Sequence, residues 1–151
     1  MRVLLIHGPN LNRLGRRDAA VYGDVTLSDI QGAVTERGSE LGAEVVSFQS
    51  NHEGDLIDWL QSQTDQADAV IVNPGGLAHT SISLRDALED CRRPVVEVHI
   101  SDPRSREPFR HTLITATAAA RLITGKGLVG YIEALEFLTQ SGRSGAREES
   151  P

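Results

Sequence analysis

The sequence predicts an open α/β domain built on a parallel sheet. Five short runs rich in apolar or β-branched residues alternate with segments of helical periodicity: Val3–Ile6, Glu44–Phe48, Ala69–Val72, Val95–Ile100 and Arg121–Thr124. Runs this short and this apolar are the pattern of strands buried on both faces. Their alternation with helices implies a sheet covered on each side. The third observation is that polar blocks rich in His, Asn, Arg, Glu and Tyr follow directly on four of the runs. Loops leaving the carboxyl ends of parallel strands converge on one crevice, so these blocks predict a single site.

Each element has its own warrant. After the first run, Thr26 can cap a helix through Gly42, with Leu27, Ile30 and Val34 on one face and Asp29 at the capping-box position. After the second, Glu53 to Thr64 carries Leu56, Ile57 and Leu60 at helical spacing. After the third, Ser81 to Cys91 carries Ile82, Leu84, Ala87, Leu88 and Cys91, and after the fifth, Gly127 to Gln140 carries Leu128, Ile132, Leu135 and Leu138. A flavodoxin-like three-layer sandwich, strand order 2-1-3-4-5, is the natural arrangement at this length. Two stretches break the pattern. Gly8 to Asp24 is long for a strand-to-helix loop and suits a lid, and Ser101 to Thr112 is similarly irregular. Residues 1–140 read as one domain, and 141–151, lacking apolar content, as a tail without fixed structure.

Composition narrows the class. A net charge of −6 argues against a nucleic-acid surface, which needs a clustered basic face. No apolar stretch approaches the ~20 residues of a membrane span, and the opening apolar run is too short for a signal peptide. The single cysteine, Cys91, excludes an internal disulfide and reads as a buried thiol. The expected compartment is the cytoplasm. Fourteen arginines but one lysine, Lys126, are present, and many of the arginines lie near the polar blocks, which suits a small anionic ligand.

No dinucleotide fingerprint, phosphate-binding Walker loop or Gly-x-Ser-x-Gly elbow occurs. Pro9 removes an amide that a phosphate cradle would want. The five histidines, His7, His52, His79, His99 and His111, include no pair at the helical spacing of a zinc motif, so neither metal nor cofactor is expected. Glu97 and His99, two apart on a strand, point to the same face. A carboxylate beside an imidazole sets its tautomer and suits a general acid, unless the pair is an ordinary polar strand end. Tyr22 either anchors its loop or acts as a base. Arg16 and Arg17 in the same loop favour the second reading, because a guanidinium stabilises a tyrosinate. Asn73-Pro74-Gly75-Gly76 forms a turn, and Ser81 opens the next helix, so amides there can meet an anion.

Together these blocks resemble the type II 3-dehydroquinate dehydratases from the first strand to about Gln140. The resemblance rests on Gly8-Pro9-Asn10-Leu11-Asn12 with Leu14-Gly15 and Tyr22-Gly23, then Gln49-Ser50-Asn51-His52-Glu53-Gly54. It continues with Asn73-Pro74-Gly75 and His79-Thr80-Ser81, and ends with Glu97-Val98-His99-Ile100-Ser101, Arg106 and Arg110. It implies that Tyr22 accepts the proton, Arg17 stabilises tyrosinate and transition state, and His99 donates a proton to the departing hydroxyl. Asn73, His79, Arg110 and the backbone of Ile100 and Ser101 would hold 3-dehydroquinate. Asp86 would reach the site from a neighbouring subunit of a dodecamer made of four trimers. Asn10, Asn12, Glu97 and Arg106 would support. His7 stands where the family usually has Asn, Asp102 where Asn is frequent, and Arg104 where His is common. The reaction implied is anti elimination of water through an enolate, in the shikimate pathway or in quinate breakdown. A binding module for a small anion would keep the arginines and the Asn73 turn without needing Tyr22 or the Glu97/His99 pair. A structural oligomer-forming domain would need none of the blocks.

Overall fold

Five parallel strands form the sheet: β1 (Arg2–His7), β2 (Glu44–Gln49), β3 (Ala69–Asn73), β4 (Val95–His99) and β5 (Arg121–Thr124), in the order β2-β1-β3-β4-β5. The computed structural model describes residues 1–148. The helices are α1 (Ala19–Tyr22), α2 (Leu27–Leu41), α3 (Glu53–Gln63), α4 (Ile82–Asp90) and α5 (Gly127–Glu148), with short 3₁₀ turns between elements.

The strand period of two divides the core into two layers. Val3, Leu5, Ile71, Val96 and Val98 face α2 and α5, where they meet Ile30, Val34, Ala134, Leu135 and Leu138. Leu4, Ile6, Val70, Val72 and Val95 face α3 and α4, against Leu56, Leu60, Leu84, Leu88 and Cys91. α2 begins at the expected capping box: Thr26 Oγ1 accepts from Asp29 N at 3.1 Å, and Asp29 Oδ2 accepts from Thr26 N at 2.9 Å. Among the described residues no helix is long and apolar enough to cross a membrane.

Three details depart from the sequence pattern. Ile82 is 63% exposed, because the buried stripe of α4 runs Leu84, Leu88 and Cys91. In α5 the fully buried side chains are Tyr131, Ala134, Leu135 and Leu138, while Leu128 and Ile132 are only partly buried. The helix is thus rotated toward Tyr131. The third concerns the expected tail: α5 continues past Gln140 to Glu148. The Ser141 and Ser144 hydroxyls bond back to the carbonyls of Phe137 and Gln140, and Arg143 Nη2 donates to the Leu41 carbonyl at 3.1 Å. These last turns are held partly by α2, more than 100 residues earlier, which composition does not reveal. Residues 149–151 lie outside the described residues.

The carboxyl ends of the strands bring the polar blocks into register. His7 lies level with Gln49 on one side and Asn73 on the other, and Val72 is level with Glu97. The loops leaving β1 and β3 then pack backbone to backbone. Gly8 N donates to Asn73 O at 2.8 Å, and a Cβ on Gly8 would stand 2.2 Å from the Pro74 carbonyl oxygen. Only glycine admits that approach.

Candidate active site

The loop after β1 is built to hold Arg17 and Tyr22. Leu11 and Leu14 sink into the α2/α5 layer and anchor it. Asp18 caps α1 by accepting from Ala20 N, and Gly23 ends it at positive φ. Tyr22 leaves this single turn of helix and packs against the edge of the same layer. Its hydroxyl oxygen accepts from Arg17 Nη2 at 3.0 Å and from Arg106 Nη1 at 2.9 Å. The Arg17 guanidinium also lies over the ring, 4.1 Å from its centroid. Charge-assisted hydrogen bonds are roughly twice as strong as neutral ones, and both of these strengthen if the oxygen becomes anionic. Both guanidiniums are thus placed to meet negative charge that develops on this oxygen.

β4 supplies the second group. Glu97 is fully buried; its Oε1 meets His99 Nε2 at 2.7 Å and its Oε2 accepts from Thr115 Oγ1 at 2.7 Å. A buried carboxylate needs such partners on both oxygens. With Nε2 committed to Glu97, His99 Nδ1 is the ring nitrogen left for a ligand. Alternation along β4 puts Glu97 and His99 on the face of Val95, toward α3 and α4, whereas Tyr22 packs on the other layer.

Between them lies a cavity of about 240 Å³ lined by Arg17, Tyr22, Asn73, His79, His99, Ile100, Ser101, Arg106 and Arg110, with Asn10, Gly75 and Gly76. Three arginines and two histidines line it, and among the described residues no acidic side chain does. Such a lining selects an anion. Asn73 is held on two sides, its Nδ2 donating to Tyr131 Oη at 2.7 Å and its Oδ1 accepting from Gly75 N at 3.1 Å. His79 is fixed by Nδ1 against the Thr112 carbonyl at 2.9 Å, and Arg110 pairs with Glu107 at 2.5 Å. Asn10 sits at φ 69° and donates its backbone N–H to Asn51 Oδ1 at 2.9 Å.

Some expected residues stand apart. Asn12 is exposed and does not line the cavity. Asp86 is exposed on α4, pairs with Arg85 at 3.1 Å, and lies outside the cavity in the single chain. Ser81 caps its own helix, accepting from Leu84 N at 2.9 Å, so the anion-facing turn is the one carrying Gly75 and Gly76, not the start of α4. His7 is fully buried, and burial lowers its pKa from 6.5 to about 4. Thr115 and Tyr131 went unread in the sequence. Thr115 lies in an irregular segment with nothing to mark it, while Tyr131 stands four residues before Leu135, a helical spacing that could have exposed it.

Comparison with known proteins adds independent support. Residues 1–139 match the family described as dehydroquinase class II. The chain belongs to that family. It is 47% identical over 152 residues to the 3-dehydroquinate dehydratase of Roseiflexus castenholzii, a match spanning 99% of this chain and 97% of that relative. The 3-dehydroquinate dehydratase of Herminiimonas arsenicoxydans is 50% identical over 136 residues, covering 89% of this chain and 94% of the relative. Among solved structures, the type II dehydroquinase of Butyrivibrio crossotus superposes with a TM-score of 0.89 at 39% identity, covering 91% of this chain and 97% of that one. The family match spans all five strands and every residue that lines the cavity.

Proposed function

We infer that the protein is a 3-dehydroquinate dehydratase of the type II class, converting 3-dehydroquinate to 3-dehydroshikimate and water. The observation that carries this reading is the double guanidinium contact on Tyr22 in a cavity lined by three arginines and shared with His99. Tyr22 takes the proton alpha to the ketone, and the C–H electrons pass into the enolate. When the enolate collapses, the C–O bond breaks and His99 gives its proton to the leaving hydroxyl, releasing water. The opposite layers from which Tyr22 and the Glu97/His99 pair approach support an anti course. Asn73, His79, Arg110 and the backbone of Ile100 and Ser101 hold the hydroxyls and carboxylate. Arg106 joins Arg17 in stabilising the tyrosinate, and Asn10 shapes the loop.

The sole lysine, Lys126, donates to Glu133 at 2.7 Å and does not line the cavity, which supports an elimination without a Schiff base. Asp86 acts from a neighbouring subunit of a dodecamer. Its exposure, and that of Ile82 one helical turn earlier on the same face of α4, supports a partner there. The enzyme works in the cytoplasm, in the shikimate pathway.

Purified protein mixed with 3-dehydroquinate should generate the absorbance of a conjugated enone, and borohydride added with substrate should neither inactivate the protein nor add mass. Absence of enone would refute the activity. A substrate-sized adduct on Lys126 would refute the mechanism.

A further inference from the structure

Beneath the cavity, on the α2/α5 side of the sheet, lies a hydroxyl that the elimination itself does not use. Tyr131 is fully buried among the side chains of α5 and the strands, and among the described residues its hydroxyl makes one hydrogen bond, accepted from Asn73 Nδ2 at 2.7 Å. A phenylalanine would fill the same space without a hydroxyl to desolvate, and a buried hydroxyl is costly unless it is paired. Burial also pushes the phenol above its ordinary pKa, so it remains a neutral hydroxyl. Its neighbour His7, level with Asn73 on β1, has its ring centroid 5.8 Å from that of Tyr131 and is kept neutral by burial, so it brings no charge to the contact.

A carboxamide's terminal torsion is broad and roughly two-fold, and its two ends are opposite in hydrogen-bonding character. A loosely held Asn73 would therefore present an oxygen or an NH₂ to the cavity almost interchangeably. Here Tyr131 takes one N–H, and Gly75 N occupies one lone pair of Oδ1 at 3.1 Å. We propose that Tyr131 is a positioning residue for the reaction: Gly75 N, which can only donate, fixes the oxygen end of the Asn73 carboxamide, and the Tyr131 hydroxyl holds the nitrogen end, so that the two together set which group Asn73 offers to bound substrate. The proposal rests on the reading that Asn73 contacts substrate.

The test is a double-mutant cycle on kcat/KM using Tyr131→Phe, Asn73→Ala and the pair. Tyr131→Phe should keep the wild-type melting temperature to within a few degrees and lose about tenfold in kcat/KM. In the Asn73→Ala background the same change should have almost no effect. The Asn73 side-chain amide protons should also exchange faster with solvent in Tyr131→Phe than in wild type. Full activity in Tyr131→Phe, or the same tenfold loss with and without Asn73, would overturn the positioning role. Wild-type kcat/KM in Asn73→Ala alone would instead overturn the assignment of Asn73 to the substrate, a result that the cycle separates from the other two.

Discussion

His7 shows how one side chain can be buried at a cost that depends on pH. Both ring nitrogens lack a partner among the described residues, and burial holds the pKa near 4 against an ordinary 6.5. The folded protein keeps the imidazole neutral, while the unfolded chain takes up a proton as pH falls through 6.5. Unfolding then binds protons, so stability is fully present above 6.5 and declines as pH drops toward 4, by about 3 kcal/mol from this group alone. Replacing His7 with Asn removes the titration. Urea midpoints measured from pH 7.5 to 4.5 should fall more steeply for wild type than for His7→Asn, and parallel curves would show that the imidazole is not responsible.

At the scale of elements, the strands were legible because five apolar runs leave little choice of period, and α2 because Thr26 and Asp29 announce its start. The pairing of Glu97 with His99 was readable from a spacing of two along β4, but its completion by Thr115 was not, since that residue returns from a 3₁₀ turn 18 positions away. Ile82 reads with the apolar residues of α4 in the sequence, yet it lies off the buried stripe of Leu84, Leu88 and Cys91 and is exposed. Past Gln140, α5 gains a hydrogen bond from Arg143 to the Leu41 carbonyl that no local pattern encodes. β4 offers a direct check on its own pair. His99→Ala should lower kcat by roughly 10²–10⁴, the range for a positioned acid. Glu97→Gln should be milder, acting through orientation and charge. Equal, small losses in steady-state kinetics would mean that the pair is only structural.

At the scale of the whole molecule, the site is a product of topology. Tyr22 and Arg106 are 84 residues apart and meet because the loops after β1 and β4 leave the same end of one sheet. The blocks were visible in the sequence as blocks; that Arg106 touches the Tyr22 oxygen as directly as Arg17 does was not, because long-range contacts have no local signature. Asp86 extends the argument beyond one chain. If it completes the site from a neighbour, dilution or mild denaturant that dissociates the assembly should abolish activity before secondary structure is lost, followed by sedimentation and turnover on the same samples. A fully active monomer would refute that role. In the proposed function Tyr22, held between two guanidiniums, is the base. Turnover and substrate binding of Tyr22→Phe, measured side by side, test it most directly, because the change removes the proton acceptor and little else. Turnover should be nearly abolished while the dissociation constant stays within about tenfold of wild type; a variant keeping a tenth of the wild-type turnover would mean that Tyr22 is not the base.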